Sequence, residues 1–248
     1  MAQIKLTNVN VDIPIFDLKN RFIKTTIINS IKGKKRGRIQ NGSYRVSALQ
    51  DLNFELMDGD RVGLIGHNGS GKSTLLRVLG GVYVPTYGQI VTHGKVFSFI
   101  DLSLGIDQDC TGRENIFLRG ALLGFSKKEI SAKLDEIITF SELGDFIDMP
   151  VRTFSTGMHL RLAFSVSTAV NPEILLMDEW LSVGDEGYKH KAEARMAELL
   201  ESTKILVIAS HSRDLIMKTC NRVLWLEHGK IKMDGKPDQV CSSYFGQN

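Results

Sequence analysis

Nine consecutive residues constrain this chain more than any other stretch of it. Gly66 to Thr74 read GHNGSGKST, which satisfies GxxxxGK[ST] at every fixed position and adds Gly69 inside the loop. The flanks have the required order. Val62, Leu64 and Ile65 form an apolar run that reads as a buried strand, and SGKSTLLRVLG reads as a helix. A strand passing through glycines into a helix turns backbone N–H groups inward and adds the partial positive charge of the helix start, which predicts a cradle for phosphate groups. Gly66, His67, Asn68, Gly69, Ser70, Gly71 and Thr74 make up that cradle with Lys72, whose ammonium is expected to reach the β- and γ-phosphates of a nucleotide. The Ser73 hydroxyl is the oxygen donor expected to ligate Mg²⁺.

A second run, ILLMDE from Ile174 to Glu179, places two carboxylates behind four apolar residues. It reads as another buried strand. Ligands of open parallel sheets collect at the carboxyl ends of the strands, so Asp178 is expected beside the loop as a metal ligand, directly or through water. Glu179 is then placed to take a proton from an attacking water. A third run, ILVIAS, delivers His211 to the same edge, where a γ-phosphate contact competes with an ordinary hydrogen-bonded histidine.

From about residue 101 the pattern becomes helical. TGRE at Thr111 to Glu114 and SKKE at Ser126 to Glu129 both fit the capping box, and Pro150 breaks the run. FSTGM follows, from Phe154 to Met158. Ser155 has the residue type and place of an N-cap, Thr156 and Gly157 expose N–H groups, and no acidic side chain occupies the first turn. A helix start left open in this way suits an anion.

The order phosphate loop, FSTGM, ILLMDE, LSVGD, His211 resembles an ATP-binding cassette ATPase over nearly the whole chain. The resemblance implies an α/β P-loop fold: a mixed and parallel sheet core with an antiparallel β subdomain, spanning 1–100 and 165–248, and an inserted α-helical subdomain at about 101–164. FSTGM stands where that family has an LSGGQ-like signature, departing at three of five positions and keeping Ser155 and Gly157. By resemblance Ser155, Thr156, Gly157 and Met158 close over the nucleotide of a second copy, so a two-fold homodimer is the working unit. Asp185 in LSVGD matches a dimer-contact loop. Asp101 falls where the family usually has a glutamine that reaches the metal or its water. Phe16 and Tyr44 are both candidates for stacking on adenine.

TGRENIFL, a signature ending in GM before RLAFSVS, and WLSVGD before Lys191-Ala192 resemble the ATP-binding subunits of polysaccharide exporters, the Wzt, KpsT and teichoic-acid group. That implies a partner permease in two copies, a lipid-linked glycan carried by it, and a place on the inner face of the cell membrane. Two other readings stay open: the ATPase of another transporter, or a soluble cassette acting on nucleic acid or ribosomes. The absence of heptads, zinc spacing and a second cassette argues against a nucleic-acid partner. The chain ends at Asn248 soon after a predicted hairpin, VLWLEHGKIKM, so no C-terminal carbohydrate-binding domain is expected.

Charge adds one feature. Lys19 to Arg45 holds nine of the 31 Lys and Arg residues and none of the 28 Asp and Glu. Ile23, Ile27 and Ile31 recur at helical spacing before KGKKRGR, so 19–45 reads as a basic insert suited to anionic head groups or to a solvated surface. Three cysteines without a CxxC pair suit reduced thiols, and no apolar run is long enough to span a bilayer. A cytoplasmic chain is expected.

Overall fold

Strands β4 (Arg61–Ile65), β7 (Ile174–Asp178) and β8 (Ile205–Ala209) are almost continuous apolar runs, and all the apolar side chains of β7 and β8 are buried. Such runs fit strands covered on both faces, which is the habit of parallel sheets. A computed structural model describes residues 1–15, 37–40, 43–99, 105–169, 171–179 and 186–246. In it β4 pairs in parallel with β8 on one side and with β9 (Arg222–Glu227) on the other. The order β10-β9-β4-β8-β7 is completed by β10 (Lys230–Gly235), which returns antiparallel to β9 as the hairpin read from the sequence. Helix α1 (Lys72–Leu79) follows β4 through the glycine loop.

An antiparallel sheet, in the order β2-β3-β1-β5, is built on β1 (Gln3–Ile15), β2 (Gly37–Gln40), β3 (Ser43–Met57) and β5 (Tyr87–His93). Strict alternation in β1 would bury only every second residue, yet the buried set is Ile4, Leu6, Val9 and Val11. Asn8 adopts a φ of 50°, and the register shifts between Leu6 and Val9. The extra residue changes the phase of the strand and keeps both pairs of side chains on the core face. Asp51, also at φ 50°, makes the same adjustment in β3 between Leu49 and Leu52. The end of the basic segment is thus partly strand, with Arg38 of β2 directly opposite Arg45 of β3. The helix expected between Arg21 and Lys32 lies outside the described residues.

The chain divides into two compact units: Met1–Gly94 with Leu176–Glu179 and Lys204–Asn248, and Lys95–Leu175 with Trp180–Thr203. The second contains β6 (Val96–Ser98), α2 (Gly112–Leu122), α3 (Lys127–Ser141), α4 (Thr156–Thr168) and α5 (Glu186–Ser202). Its core gathers Ile116, Ile130, Ile137, Leu143, Ile147, Val151, Phe154, Leu162 and Val166. Both expected capping boxes form, with Thr111 and Ser126 each accepting from the glutamate backbone three residues on, and Glu114 and Glu129 reaching back. This unit is wider than the 101–164 segment suggested by the sequence, because α5 packs into it. Tyr188 is buried against Phe140 and Phe164, its hydroxyl lies 3.2 Å from Ser165 Oγ, and burial pushes the phenol up to about 12. In the first unit, α6 (Arg213–Thr219) and α7 (Pro237–Phe245) complete the helices. No helix among the described residues is long and apolar enough to cross a membrane.

Candidate functional site

The loop after β4 can only be made of glycine at its turning points. Gly66 has φ 147°, and a Cβ there would stand 2.2 Å from the Leu226 carbonyl oxygen. Gly71, the N-cap of α1, has φ 115° and provides no side chain to cap the helix, whose first turn also lacks an acid. The amides therefore stay available to a ligand. The neighbouring hairpin clamps the loop from outside: Gly229 donates its N–H to the Ser70 carbonyl at 2.8 Å, and the Gly229 carbonyl accepts from Gln50 of β3 at 2.8 Å. His228 and Gly229 both have positive φ, as a tight hairpin turn with two left-handed residues demands.

A cavity of about 280 Å³ opens on this loop, lined by Asn68, Gly69, Gly71, Lys72, Ser73, Thr74, Asp178, Glu179, Ala209, Ser210 and His211. Three separate strands deliver its chemistry. Asp178 ends β7, Glu179 follows it, and His211 lies two residues beyond the end of β8, all at the carboxyl edge of the parallel sheet. Lys72 is buried and donates to the Gly66 carbonyl at 2.7 Å, with the His67 carbonyl further off at 3.4 Å. Desolvation holds its ammonium below the ordinary 10.5, against the opposing pull of Asp178 and Glu179. An anion entering the cavity would offer that cation charged oxygens in place of neutral carbonyls.

Glu179 departs from what its sequence suggests. It is not a continuation of the strand but sits at φ 66°, a left-handed conformation uncommon for a residue with a side chain, and its N–H donates to the Ala209 carbonyl at 2.8 Å. Both Asp178 and Glu179 still line the one cavity. Behind His211, Ser210 Oγ accepts from the Ser212 N–H at 3.0 Å, and Ser212 in turn caps α6 through Leu215 N–H at 3.3 Å.

Gly66, His67 and Ser70 belong to the loop but not to the cavity wall. Gly66 is pressed against Leu226, Ser70 is buried with its carbonyl taken by Gly229, and the His67 ring packs edge-on against His228 at 5.0 Å. The hairpin clamp, His228 and Gly229, was missed by sequence reasoning, although the His-Gly pair in the hairpin was its visible signal.

The Phe154–Met158 stretch lies in the second unit. Ser155 caps α4 as expected, its hydroxyl accepting from Met158 N–H at 3.3 Å, and no acid enters the first turn. Ser155 and Thr156 are exposed, Gly157 and Met158 half-buried. Phe16, Asp101 and Asp185 lie outside the described residues. Tyr44 is placed by its backbone on β3 opposite Ile15, and its side chain is outside the description.

The donor set suits Mg²⁺. Ser73 and Asp178 bring a hydroxyl and a carboxylate into one polar cavity, and among the described residues no cluster of three or more His, Cys, Asp or Glu forms a closed cage. Mg²⁺ takes few protein oxygens and completes its shell with phosphate and water.

A glycine-turned phosphate loop before a helix, with acids and a histidine at the ends of parallel strands, defines a P-loop nucleoside-triphosphate-binding protein. Residues 49–182 match the ABC transporter family. The chain belongs to that family. It is 43% identical over 231 residues to the O-antigen export system ATP-binding protein RfbE of Yersinia enterocolitica, covering 93% of this chain and 97% of that protein. It is 41% identical to the O-antigen export system ATP-binding protein RfbB of Myxococcus xanthus and 43% identical to the teichoic acids export ATP-binding protein TagH of Lactococcus lactis subsp. lactis. Those alignments cover 89% and 87% of this chain, which spans about half of each relative, 50% and 47%. The ATP-binding subunit of an ABC transporter superposes with a TM-score of 0.69 at 19% identity, covering 98% of this chain and 93% of that one. A dimeric ATP-binding cassette bound to ADP and Pi superposes at 0.64 and 21%, covering 94% and 98%.

Proposed function

We propose that this chain is the ATP-hydrolysing subunit of a polysaccharide exporter. It works as a homodimer with two copies of a separate membrane permease, on the inner face of the cell membrane, and the permease carries a lipid-linked glycan. The observation that carries the reading is the 43% identity over 97% of the Yersinia relative, which is named for O-antigen export. The cavity chemistry supports the hydrolytic half of it. Lys72 exchanges its loop carbonyls for β- and γ-phosphate oxygens, whose negative charge offsets the desolvation of its ammonium. Ser73 and Asp178 would hold Mg²⁺, with Asp101 reaching it directly or through a bound water, and the ion would supply positive charge to neutralise the phosphates. Glu179, fixed by its turn, takes the proton of the attacking water, and His211 contacts the γ-phosphate. Asn68, Gly69, Gly71 and Thr74 line the phosphate path, and Phe16 or Tyr44 stacks on adenine.

In the dimer, Ser155, Thr156, Gly157 and Met158 of one copy close on the nucleotide of the other, and Asp185 lies at the contact. The basic segment 19–45 meets anionic head groups. The test is to purify a tagged Glu179→Gln protein from gently solubilised source-cell membranes in ATP and Mg²⁺. A multi-helix membrane subunit in equal stoichiometry is the expected companion. Ribosomes, nucleic acid or no companion would overturn the export assignment.

A further inference from the structure

Ser155 is held by more than its own cap. Its carbonyl accepts the His159 backbone N–H at 3.0 Å, and the His159 ring Nδ1 lies 3.1 Å from the same oxygen. A carbonyl only accepts, so Nδ1 carries the hydrogen and, in the neutral ring, Nε2 is left as an acceptor. Gln108 Nε2 stands 3.4 Å from it, a long contact with a donor facing that acceptor. The Phe154 ring, anchored in the core of its unit, packs edge-on against the imidazole at 5.8 Å. Three neighbours thus fix one ring.

Gln108 arrives on a loop that is itself pinned. Its carbonyl accepts from Arg152 N–H at 2.9 Å, and two residues on, the Cys110 carbonyl accepts from Val151 N–H at 2.9 Å. Asn115 of α2, almost wholly buried, donates its amide to the Asp107 and Thr111 carbonyls at 2.8 and 2.9 Å and accepts from Asp107 N–H at 2.7 Å. A hydrogen-bonded chain therefore runs from α2 through residues 107–111 to the imidazole, and from there to Ser155. Among the described residues, the Ser155 hydroxyl oxygen accepts the 3.3 Å bond from Met158 N–H, and a hydroxyl that accepts there keeps its own hydrogen to donate. What keeps Ser155 in place when that hydroxyl turns to a ligand is the tie on its carbonyl.

We infer that His159 is a positioning residue for the signature, holding Ser155 by its carbonyl while Gln108 supports the ring from its other nitrogen. The inference rests on the proposed closure of Ser155 over a second copy's nucleotide. The test compares nucleotide-driven dimerisation, by sedimentation in ATP and Mg²⁺, for full-length Glu179→Gln and for the same protein carrying His159→Ala, His159→Asn or His159→Gln. Loss of one neutral hydrogen bond weakens each site by roughly five-fold, so the two sites of a dimer shift its dissociation constant by about twenty-five-fold in His159→Ala. His159→Asn puts an amide N–H near the Nδ1 position and should restore most of the affinity. His159→Gln carries its amide toward Nε2 and should not. ATP binding to the monomer, read by a fluorescent analogue, should be unchanged throughout. An unshifted His159→Ala dimer, or equal losses in the Ala and Asn variants, would overturn the positioning role. A Glu179→Gln parent that stays monomeric in saturating ATP would overturn the shared-site reading itself, and this inference with it.

Discussion

The first turns of α1 and α4 carry no carboxylate, whereas those of α2 and α3 each carry a glutamate locked into a capping box. All four helix starts present orphan N–H groups and a partial positive charge. In α2 and α3 the chain neutralises that charge with its own Glu114 and Glu129; in α1 and α4 it leaves the charge for something else. The two open starts are also built differently. At α1 the backbone is shaped by glycines and clamped by a neighbouring hairpin through main-chain bonds, so the geometry depends hardly at all on side chains. At α4 side chains do the holding, with the Ser155 hydroxyl, the His159 ring and Gln108 each contributing. A backbone-built site tolerates little change at its glycines. A side-chain-built one can drift in sequence, as FSTGM does from LSGGQ, while keeping the serine and the glycine proposed to meet the ligand.

Glycine substitutions should break that comparison most sharply. Gly66→Ala would force a Cβ to 2.2 Å from the Leu226 carbonyl and should cost about 3 kcal/mol or more, read as a thermal or urea shift and as lost nucleotide binding. Gly157→Ala meets only Ser155 Oγ at 3.8 Å, inside a helix, and should stabilise the fold by about 0.5–1 kcal/mol while impairing ATP-driven dimerisation. An equal loss of folding stability in both variants would refute the contrast between the two sites.

Adding the missing acid separates stability from function at α4. Thr156→Glu should raise stability by roughly 0.3–1 kcal/mol through the helix dipole, yet repel a partner's phosphate and abolish dimer formation in ATP. Calorimetry and sedimentation read the two effects independently. Dimerisation at the unmutated level would show that this helix start meets no anion.

The smallest effects belong to the closed helix starts. Thr111→Ala or Ser126→Ala should each cost about 1 kcal/mol and leave ATP binding intact. Glu114 is held below the ordinary 4.5 chiefly by the Thr111 backbone N–H, and Glu129 chiefly by the Ser126 side chain. A carboxylate depressed on folding contributes stability that is fully present above its unfolded value and is lost as pH falls through the folded one. Acid melting of the helical unit should therefore set in below pH 4.5, and either cap variant should flatten that dependence.

Read as a linear string, the chain already contained its loop, its two carboxylates, His211, both capping boxes and the Ser155 cap. Each rests on short-range chemistry: a residue type at a fixed spacing, or an apolar run of strand length. The phase change at Asn8, the left-handed turn at Glu179, the hairpin clamp on Ser70 and the His159–Gln108 tie were not legible there. They depend on partners far apart in the chain, such as Ser70 and Gly229 or Gln108 and His159, which meet only when sheets and helices are packed. Local hydrogen-bonding and burial preferences chose the elements and the candidate chemistry. Only tertiary packing decided which glycine must be a glycine, where the left-handed turn at Glu179 is pinned, and what holds the start of α4 in place.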